Sequence, residues 1–116
     1  MVNNMNELSP QQKHAITQAN IYQQQLQIMM SQRQQIELQI KEAELAIEEL
    51  GKEKETHVFK AIGPALIKKK KEEVIEDLKE TITKLNMRLK TLQSQEKKLS
   101  DKIRELSSKA NADKSE

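Results

Sequence analysis

Two heptad series on either side of one short apolar run leave this chain few folds to adopt. At alternating spacings of four and three, the first series is Ala15, Ala19, Tyr22, Leu26, Met29, Arg33, Ile36, Ile40, Ala43, Ile47 and Leu50. Ten of its eleven positions are apolar or aromatic, and Arg33 is the exception. The second series is Ile75, Leu78, Ile82, Leu85, Leu89, Leu92, Glu96, Leu99, Ile103, Leu106 and Ala110, with Glu96 its one polar member. A repeat of this period keeps one apolar seam on the same side of a helix and calls for a partner helix. Charged residues make up 33% and aromatics 2%, so a compact core built on aromatic bulk is not expected. Disorder is excluded by the regularity of the spacing. At 116 residues the chain is one domain at most.

Between the helices stands Val58–Ile67, which reads VFKAIGPALI in a sequence otherwise rich in Gln, Lys, Glu and Leu. Gly63-Pro64 punctuates a turn, and the Val, Phe and Ile around it favour strands, so the run is a β-hairpin. Pairing about that turn puts Val58, Lys60 and Ile62 with Ala65 and Ile67 on one face. His57, Phe59 and Ala61 fall with Leu66 and Lys68 on the other. Apolar groups on both faces need covering, and two strands alone are marginal in water with both edges unpaired. The chain has no further strands to offer. The completing strands are therefore expected from other chains, in a barrel or stacked sheet.

Helices joined through a hairpin fold back antiparallel. Pairing Leu50 with Leu78, Ile47 with Ile82, Ala43 with Leu85 and Ile40 with Leu89 keeps the residue numbers summing to 128 or 129. Continued outward, this register meets Ile36 with Leu92, Met29 with Leu99, Leu26 with Ile103 and Tyr22 with Leu106. It also sets the two exceptions, Arg33 and Glu96, opposite each other. A polar pair in a seam costs stability but specifies alignment, because a heptad slip would leave two partly buried charges alone. The alternative is that each side chain reaches water separately.

The expected organisation is a flexible tail over 1–8, a helix over 9–51, a hairpin over 56–70, a second helix over 71–108 and a second tail over 109–116. Ser9-Pro10-Gln11-Gln12 is a helix start, with Ser at the N-cap, Pro at the first helical position and Gln placed to close a capping box. Gly51 stands where a glycine ends a helix. Glu72 and Glu73 suit the N-terminal dipole of the second helix. Helices of about 40 residues reach about 60 Å, giving a thin rod with a sticky hairpin at one end and both termini at the other.

No catalytic constellation is present. His14 and His57 stand far apart with no nucleophile or ligand cluster beside them, and two glycines make no phosphate loop. Neither metal nor cofactor is implied. The run Lys68–Lys71 could meet phosphate, but Glu72 and Glu73 follow at once, and edge lysines also deter strand addition. A net charge of +2 argues against a dedicated nucleic-acid or membrane-surface binder. The absence of cysteine suits a reducing cytosol, and no stretch has signal-peptide or membrane-span character. A soluble, intracellular protein is expected.

Between Lys13 and Glu37 the first helix carries only Arg33 as a charge, within a Gln-rich stretch that holds Ile28, Met29 and Met30. Met29 belongs to the seam. Near the termini, Val2, Met5, Leu8 and Ile16 are expected to be exposed at or beyond a frayed helix end.

Taken together, YQQQLQIMMSQRQQIELQI, VFKAIGPALIK and KEEVIEDLKETITKLNMRLKTLQSQEKKLSDKIREL resemble a prefoldin beta-class subunit over nearly the whole chain. The hairpin residues Val58-Phe59-Lys60, Gly63 and Leu66-Ile67-Lys68 resemble that family's signature. The resemblance implies a hexamer of two alpha-class and four beta-class subunits. Its double β-barrel body would be built from hairpins, here Val58, Phe59, Lys60, Ala61, Ile62, Gly63, Leu66 and Ile67. It also implies a cytoplasmic, ATP-independent holdase with no cofactor, whose tips (here Val2, Met5, Leu8, Ile16 and Leu106) grip unfolded chains and pass them to a group II chaperonin. Two other readings remain open on the residues: a coiled-coil spacer or tether that binds no clients, and a nucleic-acid binder presenting a helical arm.

Overall fold

The computed structural model describes residues 7–114 of the chain, with side chains through Lys109. Its element order is α1 (Pro10–Lys52), β1 (His57–Ile62), β2 (Ala65–Lys70) and α2 (Lys71–Lys114). The fold is mainly helical, an antiparallel two-helix coiled coil with one β-hairpin between the helices. Two compact units divide it, Gln34–Lys90 with the hairpin, and Met1–Arg33 together with Thr91–Glu116.

In the terminal unit, α1 begins with the expected capping box. Gln12 N donates to Ser9 Oγ at 3.1 Å, and Ser9 N donates to Gln12 Oε1 at 2.8 Å. Two of the donors that a helix start leaves unmatched are thereby satisfied. The two helices are tied by Arg33 Nε, which donates to Glu96 Oε2 at 2.8 Å and Oε1 at 3.1 Å. Toward the other end of this unit, Lys102 Nζ lies 5.4 Å from the centre of the Tyr22 ring, a cation–π contact. Partners that rise along α1 while falling along α2 are an antiparallel pair. Along α1 from Tyr22 to Arg33, only Tyr22, Leu26, Met29 and Arg33 are other than exposed. Along α2 from Thr91 to Lys109, the same is true only of Leu92, Glu96, Leu99, Ile103 and Leu106. Every one of these is a heptad position.

In the hairpin unit the seam continues on the same positions. Ile36, Ala43 and Leu85 are buried, and Ile40, Ile47, Leu50, Ile75, Leu78, Ile82 and Leu89 are half-buried. The strands pair antiparallel with Ile62 opposite Ala65, Lys60 opposite Ile67 and His57 opposite Lys70. A two-residue loop, Gly63-Pro64, joins them. Gly63 has φ +56°, and the Pro64 ring holds its own φ near −65°. Positive φ followed by negative φ is the order of a type II′ turn, whose twist matches that of paired strands.

Two element ends differ from the sequence expectation. Gly51 does not end α1 as a left-handed cap: it is helical, and α1 closes one residue later at Lys52. Glu53 N donates to Leu50 O at 3.1 Å, a tightened last turn that needs no positive φ. The second helix continues through Lys114, past the boundary expected at 108. Ala110, Ala112 and Lys114 are good helix formers standing among weaker ones, and a helix already formed propagates through them.

Candidate functional site

Among the described residues, the hairpin carries the two most exposed large hydrophobic side chains, Leu66 and Phe59. Its register divides the side chains into two faces, as the pleat requires. Val58, Lys60, Ile62, Ala65, Ile67 and Lys69 share one, and His57, Phe59, Ala61, Leu66, Lys68 and Lys70 share the other. On the first face Val58, Lys60 and Lys69 are half-buried. The β1 residues Val58, Phe59, Lys60 and Ala61 border an open hollow of about 540 Å³, with Leu50 and Ala46 of α1 and Val74 and Leu78 of α2 across it. Toward the turn this cover runs out, leaving Ile62 47% and Ile67 41% exposed. The second face is the more open one: Phe59 is 68% and Leu66 71% exposed, and His57, Ala61, Lys68 and Lys70 are exposed as well.

The hairpin's base is anchored to the helices by polar contacts. Lys71 N donates to Thr56 O at 2.8 Å, extending the strand pairing by one bond. Lys71 Nζ donates to Glu53 O at 2.8 Å, which supplies a cation to the end of α1. One member of the lysine run is thus structural. Thr56 Oγ1 lies 3.0 Å from His57 Nδ1. Because β2 passes into α2 without a loop, the hairpin is held at its base, while the two strand edges, β1 outward and β2 outward, have no strand beside them among the described residues. Such edges are ready-made templates for further strands.

The proposed tip residues distribute differently. Leu8, Ile16 and Leu106 are half-buried, less open than a frayed end would leave them. Ile16 lies well inside α1, which is helical from Pro10 onward. Val2 and Met5 lie outside the described residues. Arg33 and Glu96 are brought together, with side chains 23% and 15% exposed.

Sequence reasoning passed over a set of exposed apolar residues off the seam. They are Ile21 in the terminal unit and Leu38, Leu45 and Met87 in the hairpin unit. A signal existed: Ile21 and Ile28, and Leu38 and Leu45, each recur at seven residues outside the seam positions.

A family model described as "Prefoldin subunit" matches residues 12–115. The chain belongs to the prefoldin family. It is 44% identical to a prefoldin subunit beta of Archaeoglobus fulgidus over 106 residues, covering 90% of this chain and 91% of that one. It is 40% identical to a prefoldin subunit beta of Thermococcus onnurineus, with the same coverage. The fold superposes on the crystal structure of the prefoldin beta subunit from Thermococcus strain KS-1 with a TM-score of 0.86. That match is at 35% identity and covers 93% of this chain and 96% of that one. As a prefoldin chain, it presents its hairpin between helices without a closed barrel of its own. No helix among the described residues is long and apolar enough to cross a membrane.

Proposed function

We propose that the chain is a subunit of an ATP-independent holdase that captures unfolded polypeptides and delivers them to a group II cytosolic chaperonin. Prefoldin membership supports the chaperone role. The observation that carries the assembly is the hairpin: Phe59 and Leu66 stand open on one face and Ile62 and Ile67 partly open on the other, between two unpaired edges. Burial of that surface by hairpins of neighbouring subunits, about 25 cal/mol per Å² of apolar area, drives a hexamer of two alpha-class and four beta-class chains with the hairpins in its barrel. A spacer has no use for such an elbow, which tells against a tether without clients.

Several helical arms on one body then engage a client together. Each arm binds weakly, and effective concentration supplies the avidity. The residues assigned to the grip are Val2, Met5, Leu8, Ile16 and Leu106, toward the two chain termini in sequence. Release needs no nucleotide, only competition from the chaperonin, and the site of action is the cytoplasm.

The test is light scattering from a denatured client diluted into buffer, with this chain alone, with an alpha-class subunit, and with the two assembled. The assembled complex suppresses scattering. A properly formed complex that leaves client aggregation unchanged rejects the holdase.

A further inference from the structure

The hairpin segregates charge as well as apolar surface. Residues 57–70 hold Lys60, Lys68, Lys69 and Lys70 and no carboxylate, leaving sixteen basic against eighteen acidic residues in the rest of the chain. Among the described residues none of these four lysines lies within 4.0 Å of a carboxylate, whereas Lys52, Lys79, Lys97, Arg104 and Lys109 are each paired along their own helix. The nearest acidic residues in sequence, Glu72 and Glu73, stand in the first turn of α2, where they offset the positive end of that helix.

Placement sharpens the pattern. Lys68 and Lys70 are on the more exposed face with Phe59 and Leu66, Lys68 directly across from Phe59 and Lys70 across from His57. They lie about 7 Å apart along β2. Lys60 and Lys69 face the other way, and the hollow that Lys60 lines also contains Glu49 and Glu53. Lys68 and Lys70 have no such acidic neighbour across the sheet.

We infer that the β2 edge selects an acidic strand from a chain of different sequence: one with apolar residues to cover Phe59 and Leu66, followed by carboxylates two residues apart to meet Lys68 and Lys70. This rests on the assembly reading and adds a selection rule to it. A second copy is a poor occupant, since its hairpin carries the same four lysines and no acid, and juxtaposed like charge is costly at an interface. An uncharged strand leaves the lysines to be desolvated without a partner. A carboxylate-bearing strand supplies both the backbone ladder and the countercharge.

The experiment titrates an alpha-class subunit into the full-length chain and into its K68Q/K70Q, K68E/K70E and K68R/K70R variants, with helical signal checked by circular dichroism. Dissociation constants are read at about 50 mM and about 500 mM salt. Charge reversal weakens association about tenfold or more, the arginine variant stays within about twofold of the parent, and the glutamine variant loses most of the salt dependence. Equal affinity across all four chains overturns the charge selection and leaves the assembly reading standing. No complex with any of them overturns both. Retention of a single-stranded RNA oligomer by the parent chain, abolished in K68E/K70E and competing with the alpha-class subunit, also overturns the inference, by reassigning the lysines to phosphate.

Discussion

Arg33 and Glu96, sixty-three residues apart in the chain, meet through one guanidinium nitrogen that donates to both oxygens of the carboxylate. They are the two polar positions in two otherwise apolar heptad series, and half-burial makes their meeting consequential. Removing either residue takes the interhelical ion pair out of the seam. With residual exposure discounting the fully buried case, Arg33→Leu or Glu96→Leu alone is expected to cost about 1–3 kcal/mol. The double replacement by Leu is expected to be neutral or stabilising in thermal melts. Its cost appears in alignment. With cysteines at positions 29 and 99, the parent chain oxidises to one intramolecular disulfide, and the Leu/Leu variant gives a lower yield. Equal yields would remove the register role.

The two glycines give opposite signs. Gly63 sits at φ +56° with nothing within 4 Å of where a Cβ would stand, so Gly63→Ala carries backbone strain alone, about 1–2 kcal/mol. Gly51 is helical with equally open surroundings, and Gly51→Ala is expected to stabilise by about 0.5–1 kcal/mol. Denaturant midpoints of the assembled protein measure both. A destabilised Gly51→Ala would mean that the end of α1 needs a conformation only glycine supplies.

At the start of α1, the reciprocal Ser9–Gln12 bonds make a local, separable contribution. Ser9→Ala is expected to cost about 1 kcal/mol and to raise amide exchange in the first turn without altering assembly. Unchanged exchange there would show that the turn is held by other contacts.

The seam, its polar pair, the capping box and the turn were legible in the sequence because each follows from local spacing or from the φ preferences of single residues. What escaped in the hairpin depends on what lies across space. That Val58 and Lys60 are half-buried while Phe59 and Leu66 stay exposed is decided by how the hairpin leans on the helices, which alternation alone leaves symmetric. Gly51 is a residue type that can end a helix but is also tolerated within one, as here, and helical backbone in α2 runs on where the apolar pattern lapses. The apolar residues off the seam, such as Leu38 and Leu45, fall outside the positions that the 4-3 spacing marks.

On the proposed assembly, the two hairpin faces have separable roles. Phe59→Asn with Leu66→Asn changes only exposed side chains, so the isolated chain is expected to keep its helical signal and its stability to within about 0.5 kcal/mol while losing association. Val58→Asn, whose side chain lines the hollow against the chain's own helices, lowers the stability of the chain itself. Identical behaviour of the two variants would contradict the assignment of faces.

Deleting residues 1–8 together with 107–116 is expected to spare assembly and weaken client capture in the scattering assay. Undiminished capture would move the grip to the helix flanks, where Ile21 and Ile28 are exposed.

The most direct test is the solution mass of this chain mixed with an alpha-class prefoldin subunit, by light scattering on a sizing column. Completion of the open hairpin by neighbouring subunits predicts a six-chain complex, with four copies of this chain, that disappears in the Phe59→Asn, Leu66→Asn variant. A chain that elutes as a lone, stably folded monomer with the partner present would contradict it.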